Sequence, residues 1–381
     1  RYQNFNNSAS HACIFSSRWF AFRIDLFCIL FLFSFLLLVI DQLKAVERLA
    51  NSFMGTALQK CTCLLGMLQW TLRVYSEVQT LLCSVERIDE YTQLPLEETP
   101  EKTKSSLKVA PEWPDKGLVS FKNVCLQYPN SEKRVLHDIT VDFLPRQKIA
   151  VVGRTGAGKT SLISALFRIL EPFPADSLSI DSISISQVSL GDLRSRLAII
   201  PQEPFLFKGT IRFNLDPFSQ HSDAKLWDAV ERAEMSEVIR EMPQLLDGEV
   251  QEGGANFSVG ERQLICLARA ILKQPKVIVM DEATANIDIL TTEKIINAMA
   301  NSFSDSTVIT IVHRLHTIIE YDRVLVLDKG KVAEFDSPYN LLGVEGSIFR
   351  SMIEELGQEA VETMREIARQ ADERKKKKNS P

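Results

Sequence analysis

The sequence is short of the residues that mark several functional classes. Its 381 residues include only seven cysteines and no repeated C-x-x-C spacing. The nearest pair, Cys61 and Cys63, lies in an apolar run where a zinc ion would find no other ligands. The thiols read as reduced, and a disulfide framework is excluded. Charge of one sign is not in excess either. The 44 Lys and Arg against 49 Asp and Glu give a net charge of −5, which leaves no broad phosphate-gripping surface, so nucleic acid is not an expected partner. No basic n-region precedes a short apolar core and cleavage site, so no signal peptide is visible. The sequence opens on Arg1 and reads as a piece of something longer. What remains is 45% hydrophobic and 24% charged, the balance of a globular protein of two or three units.

Hydrophobicity is concentrated at the start. Leu26 to Ile40 is fifteen residues without a charge, and Trp19 to Ile24 lengthens the run if Arg23 and Asp25 pair or snorkel. That approaches the ~20 residues a membrane helix needs, and a run apolar on every face has no solvated side for a soluble helix. A second run, Leu49 to Leu72, has Lys60 as its only charge, with Ser52, Thr56, Gln59, Cys63 and Gly66 at helical spacing. One face would line a pathway and the other meet lipid. The sequence therefore predicts membrane helices over about 18–40 and 49–72, joined by the polar Asp41–Arg48, with a charged helical extension to residue 92. Residues 93–116, rich in Glu, Lys, Ser and Pro, read as a solvated linker.

From 117 to 346 short alternating strands give way to strand–loop–helix units, the pattern of an α/β domain with a mostly parallel sheet. The tail, residues 347–381, is helix-prone from Ser347 to Ala371 and ends in Arg374 and Lys375–Lys378; this reads as a frayed solvated terminus or a contact with anionic lipid.

Three constellations carry chemistry. Gly153-Arg154-Thr155-Gly156-Ala157-Gly158-Lys159-Thr160 matches G-x-x-x-x-G-K-[ST] between an apolar strand and an apolar helix, and with Ser161 next to it makes the candidate nucleotide-binding segment. The glycines let backbone N–H groups turn onto phosphates, Lys159 brings a charge to the β and γ groups, and Thr160 offers a hydroxyl to Mg²⁺. Lys276 to Glu282 is a buried strand ending in two carboxylates, placing Asp281 to hold Mg²⁺ through water and Glu282 to polarise the attacking water. About 120 residues beyond the phosphate loop, they fit a site at the carboxyl edge of a parallel sheet. Finally, Phe257-Ser258-Val259-Gly260-Glu261 precedes a helix, where Ser258 and the Gly260 backbone form a second anion site.

With these segments the sequence resembles the ATP-binding-cassette family. The resemblance implies a P-loop cassette with a parallel-sheet core, an antiparallel β subdomain and an α-helical subdomain. It implies that Tyr128 stacks on adenine, that Gln202 lies near Mg²⁺ and the attacking water, that Ala285–Asp288 is the D-loop, and that His313 contacts the γ-phosphate. GRTGAGKTSLISALFR, PQEPFLFKGTIRFNLDPF and NFSVGERQLICLARAIL look like the second cassette of subfamily C, the multidrug resistance-associated proteins. That implies the last two helices of a multi-pass plasma-membrane protein with a cytoplasmic cassette, completed by a first transmembrane domain and a first cassette. In the family the signature segment caps ATP bound to the partner cassette.

Here the consensus Leu-Ser-Gly-Gly-Gln is altered at Phe257, Val259 and Glu261, which implies a degenerate half-site beside a hydrolytic one. The added charge of Glu261 would weaken ATP at the partner's site unless Arg262 compensates. Gln69, Trp70 and Arg73 are candidates for a pocket that takes amphipathic organic anions, or Trp70 is an interface anchor and Arg73 a snorkelling charge. The expected activity is ATP hydrolysis driving export. A cassette that gates a channel is the alternative, and a soluble cassette ATPase leaves the apolar runs unexplained.

Overall fold

The structure is a computed structural model that describes all residues except 1, 44–49, 100–102, 104–105, 130, 282–286, 313–314, 356 and 379–381. The chain divides into two compact units, Arg1–Glu97 and Glu98–Pro381.

The first unit is a pair of long helices in contact with each other, α1 (Tyr2–Leu43) and α2 (Ala50–Thr92). Neither contains proline, and α1 contains no glycine, so nothing local stops them. Within α1, Arg18–Leu38 is long and apolar enough by length and composition to cross a membrane, and it exposes side chains such as Phe27, Ile29, Phe31 and Phe33. Arg23 lies over the Trp19 ring, 4.5 Å from its centroid, a cation–π pair one turn apart. The second expected span falls inside α2 from Ala50 on, and Leu49 lies outside the described residues. Among the described residues no further stretch meets the same test of length and apolarity. The charged segment after residue 72 continues the same helix to Thr92.

The second unit runs through β1 (Val119–Gln127), β2 (Arg134–Phe143), β3 (Lys148–Val152), α3 (Lys159–Leu166), β4 (Leu178–Ile180), β5 (Ile183–Ser184), α4 (Leu190–Arg196) and β6 (Leu197–Ile200). A helical segment comes next, with β7 (Gly209–Thr210), α5 (Ile211–Leu215), α6 (Asp223–Arg232), α7 (Ser236–Glu241), β8 (Glu249–Val250) and α8 (Val259–Lys273). The chain ends through β9 (Val277–Asp281), α9 (Ile289–Ser302), β10 (Thr307–Ile311), β11 (Arg323–Asp328), β12 (Lys331–Asp336), α10 (Pro338–Gly343), α11 (Ile348–Glu354) and α12 (Gln358–Lys378).

The central sheet has the order β12-β11-β3-β10-β9-β6, parallel except for the edge strand β12. Its inner strands read KIAVV, VIVMD and TVITI because both faces are covered and leave no polar alternation. A separate antiparallel sheet, β2-β1-β4-β5, packs Phe121, Phe143 and Leu178 into one core with Ile149 and Leu166. A second core joins the helical segment, with Leu226, Ile239 and Leu264, to Ile278 and Met280 of β9. A third gathers the C-terminal helices on Ala150 and Val152.

Two polar segments are more ordered than their composition suggests. Trp113, inside the expected linker, is 5% exposed, and its indole N–H donates to the Ile180 carbonyl at 3.1 Å. Asp181 accepts from the backbone N–H groups of Lys116, Gly117 and Leu118, so the segment is strapped to the antiparallel sheet. At the other end, α12 buries Val361 and Ala368 rather than fraying from residue 347. Trp113→Ala is expected to cost about 3–5 kcal/mol of stability, against about 0.5 or less for the exposed Glu112→Ala, read by chemical denaturation of the chain.

Candidate nucleotide-binding site

Parallel register brings the sequence-predicted residues to one edge. Ile200 of β6 pairs with Met280 of β9, Asp281 of β9 with Ile311 of β10, and Ile311 with Val151 of β3. Every strand therefore ends at nearly the same level. Gln202 lies two residues past β6, Asp281 is the last residue of β9, and Gly153 follows β3 directly. Glu282, which follows Asp281, and His313, two residues past β10, lie outside the described residues, as do Ala285 and Asn286.

The Gly153–Thr160 loop is shaped by close approach. Gly153 has φ +155, and a Cβ there would stand 2.4 Å from the Leu327 carbonyl oxygen of β11, so a side chain would push the loop off the sheet. Gly158, at φ +104, caps α3, and its Cβ would meet Leu136 at 2.8 Å. The turn after β11 braces the loop from outside, with Gly330 N–H donating to the Ala157 carbonyl at 3.0 Å. Arg154, Thr155 and Gly156 are exposed, whereas Ala157 is buried. Lys159 is buried and donates from Nζ to the Gly153 carbonyl at 2.8 Å and the Arg154 carbonyl at 3.3 Å. Its ammonium is thus held inside the curl of the loop, where phosphate oxygens would be met by backbone N–H groups and a cation together. Thr160 is exposed at the mouth and Ser161 is buried. The Tyr128 hydroxyl lies 3.3 Å from Ser161 Oγ, which brings its phenol, partly exposed, to the first turn of α3.

The second anion site takes a defined form. Ser258 is the N-cap of α8: its Oγ accepts from Glu261 N–H at 3.2 Å, while Glu261 Oε2 accepts from Ser258 N–H at 2.7 Å. This is a reciprocal capping box. The Glu261 carboxylate, read from sequence as a charge near a partner's phosphates, is engaged by its own helix start, where the macrodipole favours it. Phe257 is buried and Val259 exposed, and a Cβ on Gly260 would stand 2.7 Å from Thr291 of α9, so the two helices touch there. Asp288 caps α9 by accepting from Thr291 N–H at 2.9 Å.

Sequence reasoning missed the polar residues beyond the signature on α8. Gln263 is fully buried and donates from Nε2 to the Pro201 carbonyl at 2.9 Å, next to Gln202. Arg269 donates to the Phe205 and Asn214 carbonyls, and Lys273 to the Arg194 carbonyl. Burial lowers the pKa of both Arg269 and Lys273. Gln69, Trp70 and Arg73 lie on α2 in the first unit. Trp70 and Arg73 are exposed, and of Gln69 only the backbone is described.

The chain is similar to known proteins. The family model for the ABC transporter matches residues 136–285. Over 97% of its length the chain is 43% identical to the ATP-binding cassette sub-family C member 4 of Mus musculus and 42% identical to that of Homo sapiens. It is 40% identical over 98% of its length to the probable multidrug resistance-associated protein lethal(2)03659 of Drosophila melanogaster. The chain spans 27% of the length of each of these relatives. Among solved structures, a bacterial Atm1-family ABC exporter with ATP bound is similar with a TM-score of 0.67 and 30% identity, over 80% of this chain and 52% of that one.

The capping box yields a contrast. Ser258→Ala removes the acceptor for Glu261 N–H and is expected to cost about 1 kcal/mol. Glu261→Gln keeps a capping acceptor and is expected to change stability by less than about 0.5 kcal/mol. Denaturant unfolding of the two variants beside the parent chain checks both.

Proposed function

We infer the function of this chain from one premise: it belongs to the ATP-binding cassette transporters of sub-family C. It carries the ATPase domain of an exporter of the multidrug resistance-associated type and is part of a larger transporter with transmembrane and cassette domains. Beyond that, we propose that it supplies the second cassette and the last two membrane helices of a plasma-membrane pump for amphipathic organic anions.

In this reading Tyr128 stacks on adenine while the loop Gly153 to Thr160 cradles the triphosphate and Lys159 neutralises its β and γ groups. Glu282 polarises the attacking water, Gln202 orients it, and His313 contacts the γ-phosphate. Mg²⁺ fits the donor set. The Asp281 carboxylate, the Thr160 hydroxyl and the Gln202 amide are hard oxygen donors. When bound, the ion would offset the charge that develops on the phosphoryl oxygens.

Ser258 and the Gly260 backbone face ATP on the first cassette, so two cassettes close head to tail over two nucleotides. Val259 places a side chain where the consensus has glycine, and that composite site is the weaker one. Closure turns the membrane helices outward, and hydrolysis at Glu282 resets them. Trp70 and Arg73, three residues apart on α2, offer an indole to an aromatic substrate and a guanidinium to its anionic group.

The observation that supports this reading most is the shared register that ends β3, β6 and β9 at one edge beside a P-loop whose lysine is already turned inward. The test is ATP-dependent uptake of a fluorescent organic anion into inside-out vesicles bearing the whole transporter. Uptake is expected from the parent and a loss of at least about 100-fold from Glu282→Gln. Hydrolysis slowed by Glu282→Gln with no anion moved by either protein would put a channel-gating role in place of export.

A further inference from the structure

Helix α8 grips β6 and the loop beyond it. Near its C-terminal end Lys273 Nζ donates to the carbonyls of Arg194, at 2.7 Å, and of Leu197, the first residue of β6. One turn earlier Arg269 Nη1 donates to the Phe205 carbonyl at 2.9 Å. Near the start of α8, Gln263 Nε2 donates to the carbonyl of Pro201 at 2.9 Å, and Pro201 is the residue between β6 and Gln202. Because the partner is a carbonyl, the amide's NH₂ must face it, which fixes the orientation of the Gln263 side chain.

Gln263 is 0% exposed, and its Oε1 has no hydrogen-bond donor among the described residues. A buried acceptor without a donor is destabilising. Leucine, of similar volume, would fill the same buried place on α8 without that penalty. Core packing alone therefore does not call for glutamine here. What glutamine adds is a fixed position for the Pro201 carbonyl.

We propose that Gln263 is a positioning residue for the nucleotide site: by holding the Pro201 carbonyl it fixes the start of the loop that presents Gln202. The inference rests on the reading of Gln202 as a residue of the Mg²⁺·ATP site. It also gives α8 a double task, since Ser258 at its N-cap faces the partner's nucleotide while Gln263, five residues on, holds the loop of the chain's own site.

The test uses the full chain in lipid nanodiscs with Gln263→Leu, Gln202→Ala and the double variant. Hydrogen exchange of residues 202–208 without metal or nucleotide reads the tether. A fluorescent ATP analogue titrated at increasing Mg²⁺ reads the site. Gln263→Leu is expected to leave the melting temperature within about 4 °C of the parent. Exchange in the loop should quicken about 10-fold, and the Mg²⁺ needed for half of its effect on ATP affinity should rise about 10-fold. Gln202→Ala should match the Mg²⁺ effect, and the double variant should be no worse than Gln202→Ala, because the two act in series.

Parent-like exchange and Mg²⁺ dependence in Gln263→Leu, or effects that simply add in the double variant, would overturn the proposal. A silent Gln202→Ala overturns the reading of Gln202, and the proposal with it, even where exchange finds the loop loosened. Gln263→Glu sets a carboxylate oxygen against the Pro201 carbonyl and must shift both readouts the same way should the leucine variant fail to fold.

Discussion

Parallel pairing of β6, β9, β10 and β3 in one register is the constraint that gives this chain its chemistry. Ile200, Met280, Thr310 and Ala150 form one row across the sheet, so the segments that leave those strands emerge side by side. Burial on both faces secures the register. The inner strands are apolar along nearly their whole length, and each is covered by helices or by the antiparallel sheet. Side chains that must face phosphate and water then have one place to go, the strand ends.

The phosphate loop is the most constrained of these exits. Gly153 lies against the Leu327 carbonyl with no room for a side chain, and Gly330 in the next turn pins Ala157. Strand β11 and the turn after it thus act on the loop before any ligand does, and Lys159 is folded back onto loop carbonyls that fix its ammonium. Preorganised dipoles and a held cation bind phosphate with little reordering. The signature helix is prepared in the same way, by the exchange of two hydrogen bonds between Ser258 and Glu261.

Features written in contiguous residues were legible in the sequence. The phosphate loop, the strand that ends in Asp281 and the segment around Ser258 each announce themselves within ten residues, because a turn, a strand and a helix start are local events. Contacts that depend on the fold closing were not. Gln263 and Pro201 are 62 residues apart, and Trp113 and Ile180 are 67 apart. A solitary tryptophan in a polar stretch was the available hint that the segment around it docks rather than floats. Glu261 was legible in a different way: the S-x-x-E spacing of a capping box stood in the sequence, while its charge drew attention toward a partner's nucleotide. The second long helix was legible from apolarity, from small and polar residues at helical spacing, and from the charged helical pattern that follows it to residue 92. The structure joins the two in one uninterrupted helix from Ala50 to Thr92, since no proline breaks it where the apolar run fades.

Everything proposed for this chain depends on ATP sitting at this sheet edge, with its adenine beside Tyr128 and its phosphates around Lys159. An ATP analogue carrying a photoreactive group on the adenine ring, bound to the full chain, cross-linked and mapped by peptide mass spectrometry, addresses that placement directly. Label is expected on the peptide containing Tyr128, competed by ATP and lost in Lys159→Ala. Label on a peptide remote from both Tyr128 and the phosphate loop, or label indifferent to Lys159→Ala, would contradict it.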